Sequence, residues 1–202
     1  MVIRVLVADD EELILAAVCA LLGLEDDLEI AAQVPNGRAA VDEAVARRPD
    51  VAVLDLEMPQ LDGLEVTKEL ARALPSCAVV ILTGHARPTH LQPALAAGAK
   101  AYLPKGSPGG TLADVIRRVH AGERYVDPAL AVDALTAPAC PLTPREIEVL
   151  RLAEYDTPVA TIAKRTHLSA GTVRNYLTAA VAKLGVSTRV EAFREAHDNG
   201  WL

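Results

Sequence analysis

Three charged positions in this chain stand just beyond short apolar runs: the pair Asp9 and Asp10 after residues 3–8, Asp55 after residues 51–54, and Lys105 after residues 99–103. Apolar runs of that length read as buried strands, and a charge at the end of each collects at one edge of a sheet. In an open parallel α/β sheet ligands sit at that edge, outside the carboxyl ends of the strands and where the strand order reverses. Carboxylates gathered there attract a hard cation. Mg2+ takes oxygen ligands, keeps several waters, and needs only one or two carboxylates with a carbonyl and a substrate phosphate. Asp10, Asp55 and a backbone oxygen at Glu57 can supply that shell. Lys105 adds a point charge for a phosphoryl group, and Thr83, ending a fourth run at residues 78–82, adds a hydroxyl donor. Asp9 and Asp10 read equally well as caps of the helix that follows. Asp55 does not, because an acid ending an apolar strand and facing other acids raises the free energy unless a cation offsets it.

The elements that must carry these residues alternate. Apolar runs at residues 3–8, 29–34, 51–54, 78–82 and 99–103 are separated by segments of helical period. This predicts five strands and five helices in a parallel sheet covered on both faces. Residues 123–141 contain three prolines and no strand pattern, which predicts a linker with at most a short helix at residues 129–135. Structure resumes at Thr143, where Thr143, Pro144 and Glu146 form a capping-box pattern. Helices are expected at residues 159–166, 170–184 and 189–199, with Ser169 capping the middle one. Two short helices joined by a tight turn spell a helix-turn-helix.

With 202 residues and half of them hydrophobic, the chain has room for two modest domains and is not of the disordered class. Its three cysteines, Cys19, Cys77 and Cys140, form no CxxC pair, which fits a reduced, cytoplasmic setting. The apolar run at residues 13–24 is too short to span a bilayer, so no membrane role is expected. The N-terminus enters a strand pattern at once, without a cleavable signal. Net charge is −7, unevenly spread: residues 1–140 hold 12 basic and 20 acidic side chains. From Thr157 to Val190 stand Lys164, Arg165, Arg174, Lys183 and Arg189 with no acid at all. Ordinary surfaces mix both signs, so this island reads as a nucleic-acid face. The rival reading is a plain solvated helix.

In their order and spacing, Asp9-Asp10, Asp55 with Met58-Pro59 and Asp62-Gly63, Thr83-Gly84, and Tyr102 three residues before Lys105 resemble the receiver domain of bacterial two-component response regulators over residues 1–122. The resemblance implies a doubly wound, flavodoxin-like domain in which Asp55 accepts a phosphoryl group from a sensor histidine kinase. It further implies that Asp10 binds Mg2+ directly and Asp9 through water, that Thr83 and Lys105 hold the phosphate, and that Tyr102 is the aromatic switch that moves with Thr83. Glu57 and His85 would flank the pocket mouth, either touching the water that attacks the acyl phosphate or lying as solvated surface residues.

Leu142-Thr143-Pro144-Arg145-Glu146, Ile162-Ala163, Thr172-Val173-Arg174 and Lys183-Leu184-Gly185-Val186 resemble the LuxR-type DNA-binding domain over residues 142–202. Together the halves resemble a NarL/FixJ-type response regulator, and Thr172 to Leu177 with the closing Gly200-Trp201-Leu202 point to its DesR-like branch. The chain departs from the pattern at Thr161, where a glutamate is usual, and at Asp156, where a glycine is. The implied function is phosphorylation-switched binding to double-stranded DNA, with RNA polymerase open as a further partner. Lys164, Thr172, Arg174, Asn175, Thr178 and Lys183 are the expected DNA contacts, with short polar groups and arginine for base edges.

The first helix is apolar at every position from Leu13, and a helix apolar all round is buried all round. Ile14, Val18 and Leu21, with Val115, Ile116 and Val119 of the last receiver helix, are therefore expected at a homodimer interface formed on phosphorylation. A surface near the fourth and fifth strands is the alternative, and small alanines filling an outer face is the plainer reading. Two competing functions stand beside the regulator: a Mg2+-dependent phosphotransferase using Asp55 as nucleophile, and a DNA-binding module with a vestigial receiver. The first lacks a second acid placed for leaving-group protonation.

Overall fold

The computed structural model describes residues 2–84, 88–136, 140–154 and 157–202. His85 and Asp156, both singled out in the sequence, lie outside them. The chain divides into two compact units, Met1–Leu135 and Thr136–Leu202.

The first unit runs β1 (Ile3–Ala8), α1 (Glu12–Leu22), β2 (Leu28–Val34), α2 (Gly37–Arg47), β3 (Val51–Leu54), α3 (Gly63–Ala73), β4 (Ala78–Thr83), α4 (Pro88–Ala97), β5 (Ala101–Pro104), α5 (Gly109–His120), β6 (Tyr125–Val126) and α6 (Pro128–Thr136). All neighbouring strands pair in parallel, in the order β2-β1-β3-β4-β5-β6. The order reverses at β1, so the crevice between the ends of β1 and β3 is the topological switch point. The register of β1 against the outer strand β2 slips between Val5 and Leu6, where β2 carries one extra residue.

Strands β1, β3 and β4 are buried on both faces, as their unbroken apolar runs require. On one face α2, α3 and α4 cover Leu6, Leu54, Ile81 and Tyr102. On the other, α1 and α5 cover Val5, Val7, Val53, Val80 and Leu103.

Two expectations need correction here. The sheet has a sixth strand inside the segment read as a linker: the Tyr125 amide donates to the Lys100 carbonyl at 2.9 Å, and Arg118 lies over the Tyr125 ring at 5.0 Å. The short helix expected there is α6, whose Leu130 enters the core. Secondly, α1 is not buried all round. Leu15, Val18 and Leu22 face the sheet, whereas Leu13 is 81% exposed and Leu21 is also exposed, as is Leu24 (79%) in the turn after the helix. A helix lying on one face of a sheet can bury only one stripe. For the same reason Val115, Ile116 and Val119 point inward from α5, each at most 2% exposed. Val18 and these three fill the monomer's own core and cannot also form a dimer surface. Of the expected interface only Leu21 is exposed, with Ile14 half-buried at the edge.

The second unit contains α7 (Pro144–Arg151), α8 (Val159–Thr166), α9 (Ala170–Leu184) and α10 (Arg189–Asp198). Capping boxes at Thr143 and Thr188 and the Ser169 side chain on the Thr172 amide set three of the helix starts. His167, at φ 55°, ends α8 and makes the tight turn into α9. Leu142, Val149, Leu150, Ile162, Val173, Leu177 and Ala192 form the core, and Trp201 and Leu202 pack against it.

Candidate functional site

Each residue of the acidic pocket is placed by a backbone bond between neighbouring strand ends. The Asp9 amide donates to Val34 (3.1 Å), the Asp55 amide to Ala8 (2.8 Å) and the Lys105 amide to Thr83 (2.8 Å). The loop after Asp55 is held by close backbone contact. The Gly63 amide donates to the Leu56 carbonyl at 2.8 Å, and a Cβ on Gly63 would stand 2.3 Å from the Asp55 carbonyl oxygen. A Cβ on Gly37 would meet the Leu61 carbonyl oxygen at 2.1 Å, so α2 presses on the far side of the same loop. Gln60, at φ 72°, turns the chain between them.

At the centre lies Lys105, its ammonium 2.8 Å from Asp9, 2.9 Å from Glu11 and 3.0 Å from Asp55. The remaining oxygens are also engaged: Asp9 Oδ1 accepts the Glu11 amide at 3.0 Å, and Asp55 Oδ1 accepts the Leu56 amide at 2.7 Å. Burial pushes the Asp55 carboxyl above the ordinary carboxylate range; the hydrogen bond and charge of Lys105 oppose this without cancelling it. Burial likewise works against the Lys105 ammonium, but its bonds to Asp9, Glu11 and Asp55 outweigh that and hold its pKa above the usual lysine value. Three acids share one cation, and the excess negative charge is what a hard metal ion would meet.

Asp9, Asp55, Lys105 and Thr83 are thus brought together at the switch point, with Asp9 and Asp55 buried and Thr83 1% exposed. Asp10 is exposed and stands outside the cluster of metal-capable oxygens, which comprises Asp9, Glu11 and Asp55, all within 4.8 Å of one another. Glu11 escaped the sequence reading, where an acid at a helix start looks like a cap. Its side chain does not cap α1, but turns to Lys105. The three donors are carboxylate oxygens at a crevice, which fits Mg2+. Glu57, two residues after Asp55, is exposed, and Tyr102 is wholly buried in the core beneath α4.

In the second unit, α9 follows the α8 turn and buries Val173, Leu177 and Ala180. Arg174, Asn175 and Thr178 are exposed on it, and Lys164 is exposed on α8. Thr172 is half-buried, its hydroxyl 2.8 Å from Ser169. Lys183 departs from the expected set: its ammonium is 2.7 Å from the Glu146 carboxylate, which is itself 5% exposed. Burial raises the Glu146 pKa, but bonds from Lys183 and Thr143 prevail and hold it below the ordinary range.

Comparison with known proteins places both units. Residues 5–117 match the response regulator receiver domain, and residues 140–196 match the bacterial regulatory proteins of the luxR family. The chain is 42% identical over 200 residues to the transcriptional regulatory protein DesR of Bacillus subtilis, covering 99% of each. It is 38% identical to the uncharacterized transcriptional regulatory protein YvfU of the same organism, over 99% of this chain and 100% of that one. The crystal structure of the response regulator ChrA, from a heme-sensing two-component system, shares the architecture with a TM-score of 0.61 and 30% identity, covering 100% of this chain and 99% of that one. An acidic pocket at the switch point of one unit and a helix-turn-helix in the other are therefore the two working parts of a transcription regulator, and the chain belongs to the two-component response regulators that carry a LuxR-type DNA-binding domain.

Proposed function

We propose that Asp55 accepts a phosphoryl group from a sensor histidine kinase in the cytoplasm, and that the phosphorylated chain dimerises and binds DNA to regulate transcription. The observation that carries this is the seat of Asp55: a buried carboxylate at the switch point, flanked by Asp9 and aimed at Lys105. Asp55 Oδ attacks phosphorus, the bond from phosphorus to the kinase's imidazole nitrogen breaks, and the electron pair leaves with the imidazole. Lys105 exchanges part of its contact with Asp55 for a phosphoryl oxygen, a move its bonds to Asp9 and Glu11 restrain, and Thr83 donates its hydroxyl to another. The carboxylates of Asp9, Asp10, Glu11 and Asp55 and the Glu57 carbonyl are the groups available to Mg2+, whose charge would offset that of the phosphoryl oxygens. Tyr102 is the side chain that answers a shift of Thr83, and Glu57 stands where it can influence hydrolysis.

The added phosphate is negative and cannot itself attract DNA, so its effect on binding is conformational. The dimer surface that fits the exposed residues is the outer side of α1, Leu13 and Leu21 with Ile14 at its edge, continued by Leu24 in the turn that follows the helix. Two copies reading two half-sites make the second contact intramolecular. Lys164, Arg174, Asn175 and Thr178 face outward for DNA, with Thr172 at the helix start, and RNA polymerase is a further partner on the promoter. Among the described residues no helix is long and apolar enough to cross a membrane.

Intact mass after acetyl phosphate and Mg2+ tests the reading. A single phosphoryl adduct on the wild type, absent from Asp55→Asn, is expected; equal adducts on both proteins would overturn it.

A further inference from the structure

The basic residues of α9 do not share a face. At about 100° per residue in an α-helix, the nine positions from Arg174 to Lys183 carry the chain half a turn round from where it began. Arg174 and Thr178 lie on one flank of the buried stripe of Val173, Leu177 and Ala180, with Asn175 beyond them. Lys183 lies on the opposite flank, toward α7. There its ammonium meets Glu146 Oε2 at 2.7 Å, and the same oxygen accepts the Thr143 amide at 2.7 Å. A single buried carboxylate thus fixes the first turn of α7 and the last turn of α9 together.

Resting on the DNA-binding reading above, we infer that Glu146 and Lys183 are positioning residues: the pair sets the angle at which α9 offers Arg174, Asn175 and Thr178 to the base edges, and Lys183 is not itself a phosphate contact. A carboxylate at 5% exposure demands a cation nearby, and the Lys183 side chain, 37% exposed, supplies it. No other salt bridge to Glu146 is present among the described residues. A recognition helix that rocks by a small angle keeps its charge near the phosphates but loses the bidentate geometry that tells bases apart. The pair therefore acts on sequence discrimination more than on general attraction to DNA.

The two roles for Lys183 predict opposite results. A phosphate contact contributes to the counterion release that makes DNA binding salt-dependent, and its loss flattens the slope of log K against log salt by about 0.9. A positioning residue leaves that slope alone. Removing the charge from Glu146 frees a phosphate-binding lysine and would strengthen binding, but it loosens a clamp and weakens discrimination.

The experiment uses the full chain, treated with acetyl phosphate and Mg2+, to select duplexes from a random-sequence pool. Wild type, Glu146→Gln, Lys183→Met, the double variant and Arg174→Met are then titrated against the enriched duplex and against poly(dI-dC) over a range of salt. We expect Glu146→Gln and Lys183→Met each to lose about tenfold on the enriched duplex, with little change on poly(dI-dC) and an unchanged slope. The double variant should be no worse than either single one. Arg174→Met, which removes a base contact, should weaken the enriched duplex more than poly(dI-dC). A flattened slope in Lys183→Met, or tighter binding by Glu146→Gln, would overturn the inference. Glu146→Gln keeps an oxygen for the Thr143 amide, and Lys183→Met leaves the capping box whole, so two separate variants report on folded protein. A wild type that enriches no sequence would overturn the DNA-binding reading itself, and the clamp with it.

Discussion

Lys105, after β5, and Asp9, after β1, are joined at 2.8 Å across the carboxyl edge of the sheet, a bond between groups that are 10% and 4% exposed in their side chains. The lysine thus serves twice: it neutralises the acids of the pocket, and it is the cation that a phosphoryl group would find there. Replacing it leaves three carboxylates facing one another. Lys105→Met should therefore lower stability by about 3 kcal/mol in chelator, the order expected when one partner of a buried pair is removed. Added Mg2+ should raise the melting temperature of this variant more than that of the wild type, as ligand linkage requires. Equal shifts in the two proteins would show that the metal and the lysine do not answer the same charge.

The raised Asp55 pKa has a kinetic consequence. The nucleophile must be ionised, so phosphorylation by acetyl phosphate should fall away on the acid side around a pKa above the ordinary aspartate value of about 3.9, and Mg2+ should move that limb downward. The sign for stability runs the same way. The folded state binds this proton more tightly than the unfolded chain, so the Asp55 contribution grows less favourable as pH rises between the unfolded and the folded pKa. Asp55→Asn should lack that component when melting is followed against pH with chelator present. A wild-type rate that keeps its full value down to the ordinary aspartate pKa would contradict the assignment.

Gly63 offers a test of the loop that carries Asp55. A methyl there would sit 2.3 Å from the Asp55 carbonyl oxygen and 3.0 Å from the Leu56 Cα. Both are backbone atoms, which cannot swing aside. Gly63→Ala should cost about 1–3 kcal/mol as an overpacked contact and should weaken Mg2+ binding measured by isothermal titration, because the Asp55 backbone must retreat. Gly110→Ala, with nothing within 4 Å of the added carbon, is the matched control and should bind Mg2+ as the wild type does.

The outer side of α1 and the turn after it predict an assembly effect without a pocket effect. Leu13→Glu and Leu24→Glu remove apolar groups that are 81% and 79% exposed. The monomer should keep its stability, and phosphorylation by acetyl phosphate should proceed as in the wild type. Light scattering after phosphorylation should then show monomer for the variants and dimer for the wild type. Dimers in both would move the interface to the other surface considered, near β4 and β5.

The strands and helices of both units were legible because their signals are long or repeated. Val51 to Leu54 can only be a doubly buried strand, and Thr143 with Glu146 spells a helix start in four letters. Tyr125 and Val126 were not legible, since a strand of two residues has no period and is held by its partner Ala101-Tyr102. Within the pocket, Asp9, Asp55, Thr83 and Lys105 could be read from their places at strand ends. Glu11 could not, because its part depends on which way one flexible side chain turns. The α1 stripe was misjudged because composition reports that a helix is apolar without reporting which side meets the sheet. The Lys183 ion pair was likewise not legible: by sequence it belongs to the basic island, and only the fold brings its ammonium to Glu146.

The slipped register between β1 and β2 bears on how this protein survives crowding. β2 is an edge strand, as β6 is at the other end, so one side of its backbone has no neighbour within the sheet. An unbroken flat edge would be a template on which any extended peptide, including another copy caught half-folded, could crystallise strand upon strand. The inserted residue bends that edge, and Glu29 and Gln33 stand exposed along it. An incoming strand would lose step at the bend and meet a charge where it sought an apolar face, which disfavours strand addition along β2.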